Sequence, residues 1–181
     1  MKVVGLDLSL SSTGIAVVDL LDPTTTATTT ATAPKTGPIE ERVLALGEDI
    51  WDAAQLRGTQ ATGTLVVVED LAPVAGKPNL VGGLLAGWVR CSLHDAGNPL
   101  LVVTPQHIKK YATGKGNANK DMVRDAARDR FGLPAGVTSD ECDALWAAAI
   151  GCALVGRPLI DLPKTHVEAL AKLTLPEGCA A

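Results

Sequence analysis

At 181 residues the chain has the length of one domain, enough to bury a sizeable core. With 46% hydrophobic and 20% charged residues it is globular and not disordered, and each apolar run is broken before the roughly 20 residues of a membrane span. The net charge of −4 argues against polyanion binding over the whole body, and five aromatic residues are too few for a surface built on stacked bases.

In chain order, Lys2–Asp7 is an apolar, β-branched run that predicts a first strand. Its apolar start is interrupted by Asp7, so no signal peptide is read there, and a cytoplasmic protein is expected. Residues 14–20 predict a second strand. The intervening Ser9-Leu10-Ser11-Ser12-Thr13 has the composition of a hairpin connection. A turn at Asp22-Pro23 leads into a Thr/Ala-rich segment to Lys35, read as a third strand because Thr favours the pleated conformation. Residues 39–56 place Val43, Leu44, Leu46, Ile50 and Ala54 at helical spacing. Thr64–Glu69 is a buried strand by its Val run. Residues 72–83 are rich in Pro and Gly and predict a loop, followed by a helix over 84–96 and a strand over 100–104 closed by Pro105. Helices are predicted over 106–112, 120–131 and 139–155, with one amphipathic stretch at 165–173. The order gives an α/β fold: three antiparallel strands, then two strands that return through helices and lie parallel to the first. Residues 1–156 form the domain and 157–181 a C-terminal extension without an assigned role. Cys91, Cys142, Cys152 and Cys179 show no CxxC spacing and read as reduced, mostly buried residues.

Charge is unevenly spread. The stretch 105–130 holds Lys109, Lys110, Lys115, Lys120, Arg124, Arg128 and Arg130 against Asp121, Asp125 and Asp129. With a net charge of −4 overall, the rest of the chain carries −8. Such a segment can bind a polyanion locally, and it can equally be a solvated helix with alternating charges.

Four carboxylates stand out. Asp7 ends the first strand in an otherwise apolar run, a costly place unless the group is hydrogen-bonded or binds a cation. Glu69 ends the fourth strand in the same way. Asp140 and Asp143 lie three apart at the start of the last helix and share a face. Singly, each has a plain reading: Asp7 opens a turn, Glu69 leaves a strand into solvent, and Asp140 and Glu141 are first-turn acids beside an N-cap. Asp143 lies deeper in an apolar helix. Together they make an all-oxygen set, which suits Mg²⁺ or Mn²⁺.

These residues carry a resemblance to the RuvC-type crossover junction resolvases, an RNase H-like family. Gly5-Leu6-Asp7-Leu8-Ser9-Leu10-Ser11-Ser12-Thr13-Gly14 resembles the family's opening motif. Val67-Val68-Glu69 resembles the second motif, and Asp140-Glu141-Cys142-Asp143-Ala144-Leu145 the closing one. Residues 105–110 with 113–120 resemble the lysine-bearing stretch, with Lys109 and Lys120 at its matching positions and Lys110 a neighbour. The resemblance covers residues 2–155. It implies an RNase H-like mixed sheet of five strands flanked by helices and an endonuclease that nicks paired strands of four-way DNA junctions in recombination and repair. It further implies a homodimer without nucleotide cofactor, and two Mg²⁺ or Mn²⁺ ions on Asp7, Glu69, Asp140 and Asp143, with Asp7 between them. Lys120 would act at the scissile phosphate, and Lys109, Lys110, Lys115, Lys120 and Arg124 would contact DNA. The sequence departs from the family in the stretch 70–74, which has no aromatic ring, and in carrying Glu141 as a fifth carboxylate. A nuclease of the same fold acting on flaps, forks or other branched DNA is the alternative, and a non-catalytic DNA-binding relative a further one. An actin-like ATPase or sugar kinase would need two lobes, for which the chain is too short.

Overall fold

A computed structural model describes residues 1–57, 64–71 and 79–179. The sheet has five strands: β1 (Lys2–Asp7), β2 (Thr13–Asp19), β3 (Ala27–Ala31), β4 (Thr64–Glu69) and β5 (Leu100–Val103), in the spatial order β3-β2-β1-β4-β5. The pairs β1/β2 and β2/β3 are antiparallel, and β1/β4 and β4/β5 parallel. This is the mixed sheet expected from the sequence. β3 is shorter than the Thr-rich segment because a 3₁₀ turn over Pro23–Thr25, capped by Asp22, occupies its start.

Helices cover both faces. α1 (Ile39–Ala53) and α2 (Leu80–Asp95) bury Val43, Leu46, Ile50, Leu85, Val89 and Leu93 against one face, formed by Val4, Leu6, Ile15, Val17, Val66 and Val68. α3 (Pro105–Thr113), α4 (Lys120–Phe131) and α5 (Ser139–Leu154) cover the other face with Val3, Ala16, Val18, Leu65, Val67 and Val103. The strict alternation along β1 and β4 follows from the two-residue side-chain period. α6 (Lys164–Val167) and a 3₁₀ turn over Glu168–Lys172 are the last helical elements of the described residues. Among the described residues, no helix is long and apolar enough to cross a membrane.

One local result differs from the sequence reading. α2 starts at Leu80 and not at residue 84, because the Asn79 side chain accepts from the Gly82 amide and caps the first turn. The expected loop over 72–83 therefore shrinks at its end, and its part at 72–78 lies outside the described residues. Within 84–93, Leu85, Ala86, Val89 and Leu93 face the core; the outward apolar residues are Leu80, Val81 and Leu84.

The feature that positions the site is the approach of α5 to the sheet. A Cβ on Gly5 would lie 1.9 Å from the Ala144 carbonyl oxygen, and one on Gly14 1.9 Å from that of Asp140. Only hydrogen fits at either position, so the helix backbone rests on β1 and β2. Trp146 then ties α5 to its neighbours. Its Nε1–H donates to the Val123 carbonyl of α4 at 3.1 Å, and its ring meets Tyr111 of α3 and Phe131 edge-on.

Candidate active site

Asp7 and Glu69 occupy the last positions of β1 and β4, which run parallel in adjacent places. Both point to the face covered by α5, because Val67 and Gly5 two residues earlier do so. α5 brings Asp143 to the same point. One carboxylate oxygen from each of Asp7, Glu69 and Asp143 lies within 4.8 Å of the others. The three line a cleft of about 250 Å³ together with Lys109, Lys120, Pro105, Ile108 and Val123. Lys109 comes from α3 and Lys120 from the first residue of α4.

Asp140 stands beside this trio and is engaged differently. Its carboxylate accepts from Lys120 Nζ at 2.9 Å and from Ser139 Oγ at 3.4 Å. Burial pushes its pKa up, but hydrogen bonds from Ser12 and Lys120 outweigh that and hold it below the ordinary aspartate value. The trio moves the other way. Burial, then repulsion from Asp140, raises Asp7 to about 6. Burial with the charges of Asp7 and Asp143 raises Glu69 to about 8, and burial with Asp7 raises Asp143 to about 7. Three half-buried carboxylates that repel one another, with two lysines nearby, are short of positive charge. An all-oxygen donor set in that state fits a hard divalent cation.

The remaining predicted contacts spread outward. Lys110 pairs with Glu168 at 3.4 Å. Lys115 is exposed in the loop between α3 and α4. Arg124 pairs with Asp121 at 2.9 Å and Asp125 at 3.3 Å, so its charge is already engaged on α4. Two groups the sequence left unassigned are structural. Glu141 closes a capping box with Thr138 at the start of α5, and His107 closes one with Thr104 at the start of α3. The spacing Thr138-x-x-Glu141 was the readable signal for the first. Tyr111 is 1% exposed and presents no ring to a ligand, and Trp88 packs edge-on against Trp51 on the opposite face of the sheet from the trio. His94 is exposed in the last turn of α2. Ser12, which holds Asp140, was not singled out by the sequence; its short hydroxyl in a hairpin gave no distinguishing pattern.

Comparison with known proteins decides the family. No protein-family profile matches the chain. A curated protein of Leifsonia xyli subsp. xyli, named crossover junction endodeoxyribonuclease RuvC, is 31% identical over 152 residues, covering 80% of this chain and 70% of its own length. The chain belongs to the RuvC family. A RuvC of Delftia acidovorans is 27% identical over 152 residues, with 82% of each chain covered. The fold agrees with Thermus thermophilus RuvC at a TM-score of 0.65 and 23% identity, covering 87% of this chain and 98% of that one. A structure of T. thermophilus RuvC in complex with Holliday junction substrate aligns at a TM-score of 0.63, also at 23% identity. The RNase H-like fold expected from the motifs is thereby shown.

Proposed function

We propose that this RuvC-family chain is a metal-dependent endonuclease that resolves four-way DNA junctions by paired nicking, acting as a homodimer. The observation that carries this reading is the meeting of Asp7, Glu69 and Asp143 in one cleft with Lys109 and Lys120. Curated relatives named crossover junction endodeoxyribonuclease support the substrate and reaction.

Asp7, Glu69 and Asp143 would hold Mg²⁺ or Mn²⁺, with Asp140 completing the set for a second ion once Lys120 turns to substrate. Bound there, the ions supply an activated water and stabilisation of the leaving oxygen. The chain does the positioning. β1, β4 and α5 fix the carboxylates, since Gly5 and Gly14 leave α5 no room to slide. Lys120 offsets charge on the phosphoryl oxygens, exchanging its contact with Asp140 for one with phosphate. Lys109, from α3, lines the same cleft and adds a second cation. Lys110 and Lys115 would track the DNA backbone outside the cleft.

A four-way junction needs two cuts and each chain supplies one site, which a twofold dimer satisfies. Leu80, Leu84, Gly87 and Cys91 follow one another at spacings of four, three and four on α2, a single outward stripe. Leu80 is 76% and Leu84 51% exposed, and Gly83 and Gly87 have open space above them. Two such stripes can approach closely, and this is the proposed dimer surface.

The test is a cleavage assay on labelled four-way, three-way, flap and duplex DNA, with Mg²⁺ and with EDTA. Symmetric paired cuts in the four-way junction, abolished by EDTA, are expected. Equal cutting of flaps and forks would replace junction resolution by a general branched-DNA nuclease, and cutting in EDTA would remove the metal from the mechanism.

A further inference from the structure

The chain after α5 is built into the fold. Leu159, Ile160, Leu162, Leu170 and Leu173 pack on the core shared with α5, and the segment 164–172 lies along α3. His166 is its most buried polar residue, 7% exposed, and its Nδ1 lies 2.9 Å from the Tyr111 carbonyl oxygen. A carbonyl only accepts, so Nδ1 carries the hydrogen. Tyr111 is two residues from the end of α3, where helix carbonyls lack intrahelical partners. The Lys115 amide, which would continue the ladder, donates instead to the Thr113 hydroxyl at 3.2 Å. The imidazole also walls Gly114: a Cβ there would lie 3.1 Å from Nε2, and Gly114 sits at φ +78°, a conformation glycine accepts readily. Gly114 ends α3 and begins the loop that leads to Lys120. Two residues beyond His166, Glu168 reaches Lys110 at 3.4 Å.

We propose that the segment 164–172 is the positioning element of the lysine-bearing stretch, with His166 as its positioning residue; this rests on the reading that Lys109 and Lys120 act on a DNA phosphate. The start of α3 is fixed by β5 and by the Thr104/His107 capping box. Its other end has the left-handed glycine and the His166 bond. A swing of that end displaces Lys109 on the helix and Lys120 at the far end of the loop, while Asp7, Glu69 and Asp143 stay on β1, β4 and α5. Misplacement by about 1 Å can cost up to about a hundredfold in rate.

The test uses the full chain. His166→Leu keeps comparable bulk and deletes the donor; His166→Asn keeps a donor near the Nδ1 position. With folding verified by circular dichroism, the single-turnover rate at saturating four-way junction in Mg²⁺ should fall about tenfold in His166→Leu, with Kd changed less than about threefold. His166→Asn should return the rate to within about threefold of wild type. A folded His166→Leu that cuts at the wild-type rate overturns the proposal, and so does equal loss in both variants. Hydrogen exchange without DNA separates this from the nuclease reading. The Ala118 amide, bonded to the Lys115 carbonyl, should exchange about tenfold faster in His166→Leu and not in His166→Asn. If wild type fails to cut junctions, the nuclease reading falls and exchange alone decides the bracing. If His166→Leu does not fold, wild type decides: Ala118 and Val167 should share one opening rate, and independent opening refutes the brace.

Discussion

α2 and α5 each run 16 residues, and they cover opposite faces of the same sheet. α5 is buried without interruption from Ala144 to Cys152, because α3 and α4 flank it and β1 and β2 lie against its backbone. α2 buries only its inner stripe and leaves Leu80, Val81 and Leu84 outside. Similar apolar composition thus has two fates. Where a helix is covered on all sides, a carboxylate on its inner face such as Asp143 is fixed and desolvated, and its pKa rises. Where it is covered on one side, the surplus apolar surface is available to another molecule.

The largest expected effect comes from the covered side. Asp7→Asn removes one ligand charge from the trio and touches no lysine. Cleavage of a four-way junction should fall by about three orders of magnitude or more, with Kd within about threefold of wild type. Single-turnover kinetics beside a binding titration checks this, and wild-type cleavage in the variant would exclude Asp7 from the chemistry. On the open side, Leu84→Glu should convert a dimer to a monomer by light scattering and turn paired cuts into single nicks. The trio lies on the other face and should keep its metal affinity. A monomeric mass for wild type, free and on a junction, would refute the α2 interface.

The contrast between the helices was only half legible in the sequence. The strands of β1 and β4, the i, i+3 pair Asp140/Asp143 and the basic stretch can each be read from periodicity and charge, and the strand ends with that pair suggested one cluster of Asp7, Glu69, Asp140 and Asp143. The separation of Asp140 from the other three could not be read. It depends on Lys120 and Ser12, which lie 20 and 128 positions away in sequence and meet only in the fold. The depth of α5 was hidden for a related reason: Gly5 and Gly14 look like strand punctuation until a helix backbone is placed above them. Conversely, Gly82 and Gly83 suggested a loop and belong to α2, whose first turn is capped by Asn79 and whose inner stripe is held by the core.

A smaller effect distinguishes the two faces by pH. Without metal, Asp7, Asp143 and Glu69 titrate at about 6, 7 and 8, above the roughly 4 of unfolded carboxylates. Between about pH 4 and 8 the native state therefore binds more protons than the unfolded one, so stability falls as pH rises through that window. The melting temperature of metal-free protein should drop from pH 5 to pH 8. Saturating Mg²⁺ should flatten the drop by replacing the protons, and Glu69→Gln should reduce the slope most between pH 7 and 8. Leu84→Glu should leave the slope in place. A metal-free melting temperature that climbs over this range would contradict the charge imbalance of the trio.

The smallest effects separate binding from chemistry among the lysines. Lys120 reaches into the cleft and pairs with Asp140, while Lys110 lies outside it and pairs with Glu168. Lys120→Ala should lower the single-turnover rate at saturating DNA more than it weakens affinity. Lys110→Ala should leave that rate near wild type, weaken junction binding a few-fold and flatten the salt dependence by about one unit of slope for one lost phosphate contact. The Glu168 partner makes the sign testable from the other direction. An exposed pair of this kind contributes about 1 kcal/mol or less, so Glu168→Gln should release Lys110 and tighten junction binding only a few-fold, with a steeper salt slope. Junction Kd across a salt series for the three variants decides the matter. If Lys120→Ala cuts normally once saturated, Lys120 is a backbone contact like Lys110; if Glu168→Gln leaves both Kd and slope unchanged, Lys110 does not meet a phosphate.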